Sequence, residues 1–114
     1  MIELSAEFAP GAKTLTTFNI RGINVTYDAD RQDLIVNGHR TFAPLSGGRH
    51  RLAIFCDRTT VEVFATDGLV YIPVPAIPKT EDTQISVSVT GGDVEFAGLD
   101  VYELKSVWKS GPTK

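Results

Sequence analysis

A chain of 114 residues has the length of one ordinary domain. With 42% hydrophobic and 22% charged residues it matches a folded globular domain and not a disordered or fibrous chain, and at this size it needs no metal or disulfide to fold. A net charge of -3 gives no clustered basic face for nucleic acid, and a single cysteine excludes an intrachain disulfide.

Apolar residues nowhere recur at helical spacing, and Gly or Pro interrupts the chain every dozen residues or so. Short runs of Val, Ile, Thr, Phe and Tyr predict strands instead, in the order Ile2–Phe8, Thr14–Ile20, Ile23–Tyr27, Asp33–Val36, His50–Cys56, Thr60–Ala65, Leu69–Ile72, Gln84–Val89, Val94–Leu99 and Val101–Trp108. Arg21-Gly22, Asp28–Gln32, Asn37-Gly38, Asp67-Gly68 and Gly91-Gly92 supply the turns. The Pro73–Pro78 stretch reads as an extended crossover, because proline cannot donate ladder bonds. In Ile85-Ser86-Val87-Ser88-Val89 one face is apolar and the other polar, as in a half-buried antiparallel strand.

These elements predict an all-β fold: a two-sheet antiparallel β-sandwich of jelly-roll, concanavalin-like type over residues 1–109, with 110–114 as a flexible tail. No apolar stretch approaches the roughly 20 residues that span a bilayer. The start lacks a basic segment followed by an apolar one, which suits either a protein that stays in the cell or a piece of a longer secreted chain.

Chemistry-bearing patterns are sparse. Glycoside hydrolysis needs two carboxyls facing each other across the scissile bond. Asp57 and Asp67 lie at a strand end and a turn, where carboxylates bond their own backbone; Glu95 and Asp100 are further candidates. Glu62 differs in lying mid-strand between apolar residues, four positions after Arg58, so the pair reads as a salt bridge or as a grip on sugar hydroxyls. His39 and His50 have no metal-ligand spacing, and Asp28, Asp30 and Asp33 lack the glycine and distal glutamate of a calcium loop. The serines offer no nucleophile elbow, Ser46-Gly47-Gly48 is no phosphate loop, and no cofactor is expected. Arg49-His50-Arg51 reads as a solvated edge, and Cys56 as a buried thiol. The six phenylalanines read as core, which leaves Trp108, Tyr27, Tyr71 and Tyr102 for sugar stacking or packing.

The run Asp57-Arg58-Thr59-Thr60-Val61-Glu62-Val63-Phe64, followed by Asp67-Gly68 and Val70-Tyr71, resembles the Asp-Arg-Ser-Ser-Val-Glu-Val-Phe hairpin of glycoside hydrolase family 32, the invertases, levanases and inulinases. The ending Leu104-Lys105-Ser106-Val107-Trp108 is similar to that family's closing Leu-Lys-Ser-Ile-Trp, and the resemblance covers roughly Phe18 to Trp108. It implies a parent enzyme in which a five-bladed β-propeller holds an aspartate nucleophile and a glutamate acid/base, followed by a non-catalytic sandwich. The propeller's motifs are missing from this sequence, so the resemblance implies an accessory domain with the catalytic propeller as partner, and possible roles in homo-oligomers or in shaping the cleft. The alternative it implies is a fructan-binding module, with Asp57, Arg58 and Glu62 as the sugar-binding residues.

Overall fold

The computed structural model of the chain describes residues 2–36, 38–57, 60–66, 70–75 and 85–103. Ten strands follow one another: β1 (Ile2–Pro10), β2 (Leu15–Ile20), β3 (Ile23–Asp28), β4 (Asp33–Val36), β5 (His39–Phe42), β6 (His50–Cys56), β7 (Thr60–Ala65), β8 (Val70–Pro75), β9 (Ile85–Thr90) and β10 (Val94–Glu103). They form two five-stranded antiparallel sheets, the first in the order β10-β1-β6-β7-β8 and the second in the order β5-β4-β3-β2-β9. The architecture is the expected β-sandwich.

Period-two alternation builds the core between the sheets. Ile2, Leu4, Ala6 and Phe8 of β1 point inward, as do Leu52, Ile54 and Cys56 of β6 and Val61, Val63 and Ala65 of β7. The second sheet answers with Phe18 and Ile20 of β2, Val25 and Tyr27 of β3, and Leu34 and Val36 of β4. Phe8 is the central ring, 5.8 Å from Phe18 and 5.9 Å from Tyr27, the latter edge-on. The buried Tyr27 hydroxyl donates a 2.7 Å hydrogen bond to the Ala43 carbonyl, which satisfies the one polar atom this ring brings inside. Tyr27 is therefore core and not a sugar platform.

Turn chemistry is as anticipated where it is described. Arg21 and Gly22 both take positive φ, the requirement of a two-residue hairpin between Ile20 and Ile23. Asn19 braces that turn, accepting from the Gly22 amide at 3.2 Å and donating to Asn24 at 2.7 Å.

Three elements differ from expectation. The sequence reading misses β5, because His39-Arg40-Thr41-Phe42 has one apolar residue and lies at a sheet edge with Phe42 64% exposed. β10 is one strand where two were expected: a register shift opposite Glu7 and Phe8 absorbs an extra residue, and pairing continues past Asp100. Pro73 and Pro75 belong to β8 and not to a crossover, which the ladder tolerates because β8 is the edge strand of its sheet. The expected segment Leu104–Trp108, the tail from residue 110, the Asp67-Gly68 turn and Asn37 lie outside the described residues.

Candidate functional site

Of the three residues singled out from sequence, Asp57 and Glu62 are described and Arg58 lies outside the described residues. Asp57 directly follows β6 on the exposed surface, and its amide donates to the Thr60 carbonyl at 2.9 Å, closing the β6–β7 connection. Glu62 sits mid-β7 on the outer face of the first sheet, paired between Phe55 of β6 and Pro73 of β8. The Tyr71 phenol donates to its carboxylate at 2.6 Å, along the diagonal of the β7–β8 pair. This hydrogen bond is the main cause that holds the Tyr71 phenol above its usual pKa, with desolvation second.

Around this contact the outer face is aromatic. Phe55 and Phe64, expected in the core, alternate with the inward residues of β6 and β7 and therefore stand on the opposite side of the sheet. Their rings meet edge-on at 5.7 Å, and Phe64 stacks on Tyr71 at 4.9 Å and 29°. The result is a stripe of three rings across β6, β7 and β8. Tyr102 of β10, half exposed, lies across Glu3 on the same face. Sequence reasoning missed the stripe because Leu52–Cys56 is an unbroken apolar run, in which parity is hard to see.

Beside the stripe the sheet is hollow. Ser5 of β1, Ala53 of β6 and Gly98 of β10 form the floor of an open trough of about 550 Å³. Phe64 stands at one wall and Asp100 at another, and Glu7 and Arg51 close an end. A second depression of about 200 Å³ adjoins it, lined by Glu7, Ser46, Arg49 and Arg51. The two arginines grip one carboxylate: Arg49 reaches Glu7 at 2.7 Å and Arg51 reaches it at 3.3 Å.

The Arg49-His50-Arg51 segment is thus not simply a solvated edge. Alternation sends the two arginines outward, while His50 points into the core at 1% exposure, its ring 4.2 Å from Tyr27 and 5.6 Å from Phe8. The aspartate loop is equally structural. Asp28 accepts from the amides of Asp30 and Arg31 at 3.1 and 3.2 Å, and Arg40 bridges Asp28 and Asp33 at 3.4 and 3.2 Å. Among the described residues no cluster of His, Cys, Asp or Glu has the makings of a metal site.

Comparison with known proteins agrees with this architecture. The family profile described as "Glycosyl hydrolases family 32 C terminal" matches residues 1–103. A levanase of Bacillus subtilis (strain 168) is 32% identical, over 96% of this chain and 20% of its own length. An extracellular exo-inulinase of Aspergillus awamori is 33% identical over 61% of this chain and 13% of its own. In structure, an exo-inulinase from Aspergillus awamori superposes with a TM-score of 0.77 at 23% identity, covering 94% of this chain and 25% of that one. A congerin II double mutant superposes over 89% of this chain and 90% of its own, with a TM-score of 0.63 at 14% identity. These two superpositions speak for the fold alone. The chain spans about a fifth of the levanase it matches. By the profile match over nearly its whole described length, the chain belongs to the glycosyl hydrolase family 32 C-terminal domain family.

Proposed function

We propose that the chain is a non-catalytic accessory sandwich of an enzyme that cleaves fructan or sucrose, and that it works packed against a catalytic β-propeller. The observation that carries this reading is the aromatic stripe of Phe55, Phe64 and Tyr71 on the outer face of the first sheet. A free-standing sandwich keeps such a face polar, and a row of rings there marks a contact surface. Membership of the family and the small share of the levanase and exo-inulinase that the chain spans support a larger parent.

The carboxylates support the non-catalytic half of the reading. Hydrolysis of a glycosidic bond needs two carboxyls poised across one cleft, about 5–9 Å apart, one of them tuned as acid. Here Glu7 is held by two arginines, Asp28 and Asp33 by Arg40, and Glu62 by the Tyr71 phenol. These groups are structural, and they are spread over both sheets.

The test is a replacement. Substituting this chain for the matching segment of the Bacillus subtilis levanase should restore thermal stability lost on deleting that segment. Phe64→Ser with Tyr71→Ser should remove the restoration. The purified 114-residue chain should release no fructose from sucrose, levan or inulin; hydrolysis that survives rigorous purification would overturn the reading.

A further inference from the structure

We propose that β9 is an association edge, through which two copies of this chain join antiparallel about a two-fold axis into one continuous ten-stranded sheet. The inference goes beyond the accessory role and does not depend on it.

A sheet edge presents unpaired N–H and C=O groups, and folded proteins blunt such edges with charge, proline, bulges or short strands. The edge strands here are β10 and β8 of the first sheet and β5 and β9 of the second. Three of them are blunted. β8 carries Pro73 and Pro75, which have no amide hydrogen to donate. β5 is four residues long and carries His39 and Arg40. β10 carries the exposed Glu95 and Asp100, and the register shift opposite Glu7 and Phe8 distorts it. β9 has none of these devices: Ile85-Ser86-Val87-Ser88-Val89-Thr90 is free of charge and proline, and its register against β2 is unbroken. Among the described residues, β2 is the only strand paired with it.

The two faces of β9 say what would fit beside it. Ser86, Ser88 and Thr90 are exposed on the outer face, while Ile85, Val87 and Val89 point inward and are only half-buried. Ile85 and Val87 pack against the core, so the apolar layer runs out to this edge. A partner strand must continue that layer inside, be polar outside and bring no charge. A second β9 meets all three conditions. With Val87 opposite its own counterpart, Ile85 faces Val89 and Ser86 faces Ser88, which gives three apolar pairs on the inner face. A slip of two residues loses one of these pairs, and a slip of one sets serine against valine. The adjoining outer rows are neutral as well: Ser88 lies beside Thr17 and Ser86 beside Asn19, with Thr26 and Asn24 next on β3. A net charge of -3 repels copies of the chain from one another, and this neutral flank lets them approach. The aromatic stripe belongs to the other sheet, so the pairing does not use it. One strand a side is less than a permanent interface buries, so association is weak, with a Kd of roughly 10–100 µM.

Sedimentation velocity of the full 114-residue chain at low ionic strength, from about 10 µM to about 1 mM, tests the proposal. A shift from monomer to dimer mass is expected across that range. Ser88→Lys sets like charges diagonally across the joint and should weaken association about tenfold or more, with little change in Tm. Ser86→Glu combined with Ser88→Lys brings opposite charges face to face between the copies and should restore the dimer. Ser86→Lys replaces Ser88→Lys if the latter fails to fold. Phe64→Ser with Tyr71→Ser should dimerise as the parent chain does. A monomer at every concentration overturns the proposal, as does a dimer that persists in folded Ser88→Lys or is lost in the Phe64→Ser, Tyr71→Ser variant. Failure of the paired substitution to restore the dimer overturns the β9–β9 register. None of these results affects the levanase replacement, so the edge can fail while the accessory role stands.

Discussion

Tyr71 and Glu62 meet across the β7–β8 pair through a 2.6 Å hydrogen bond from phenol to carboxylate, on the face of the sheet that also carries Phe55 and Phe64. The carboxylate that the sequence suggested as a sugar grip accepts a hydrogen bond from this phenol. A phenol donating to a carboxylate resists ionisation, and Tyr71 titrates above its usual 10.0 for that reason first. Because the folded-state value is raised, whatever stability the contact contributes is present below the unfolded value and lost as pH rises through the folded one. Spectrophotometric titration at alkaline pH should show one tyrosine shifted downward in Glu62→Gln. An unchanged profile would mean that the bond does not form in solution.

Gly91 is irreplaceable for a local reason. It takes φ +83° between β9 and β10, and an added Cβ would lie 2.5 Å from the Lys13 carbonyl oxygen. Gly91→Ala should destabilise by about 2–3 kcal/mol, from left-handed strain plus the clash. Gly38 has a similar φ of +85° but open space around it, so Gly38→Ala should lose only about 1 kcal/mol. Denaturant melts of the two variants measure the difference; equal losses would mean that crowding at Lys13 is relieved by a backbone shift.

Tyr27 contributes its ring to the core and its hydroxyl to the Ala43 carbonyl. Tyr27→Phe keeps the ring and orphans the carbonyl, a loss of about 1–2 kcal/mol in a denaturant melt. Burial, with Asp33 and Asp28 adding to it, pushes the phenol well above the usual range, so Tyr27 should not ionise before the chain unfolds in alkali.

Cys56 is the one thiol of the chain. Its side chain is buried at the end of β6, and desolvation is the main force raising its pKa. Ellman's reagent should label it at the rate of global unfolding in native buffer and within seconds in denaturant. Fast native labelling would show that the end of β6 opens locally.

The fold was legible wherever one face is wet. β4, β6 and β7 have the bounds that alternation predicts, because each carries inward residues at strict period two. β5 was not, because an exposed four-residue edge strand has no buried face to pattern. The site was legible only in part. Glu62 stood out as a mid-strand carboxylate, but its partner Tyr71 depends on the register of β7 against β8, which the sequence does not display. The trough was invisible, since Ser5, Ala53 and Gly98 are small residues far apart in the chain that become neighbours only once β10, β1 and β6 are side by side.

That strand order also governs how the molecule can form. β1 lies inside its sheet between β6 and β10, with Ile2 registered against Cys56 on one side and Glu103 on the other. Both partners follow β1 in the chain, so within this domain the first strand is synthesised before either of its neighbours. Its loop-closure entropy must be met before its contacts form, which places folding in the slow, millisecond-to-second regime of non-local β proteins. Until β10 is synthesised, Ile2, Leu4, Ala6 and Phe8 have a bare flank, and in that interval the nascent chain is most exposed to aggregation and to chaperones.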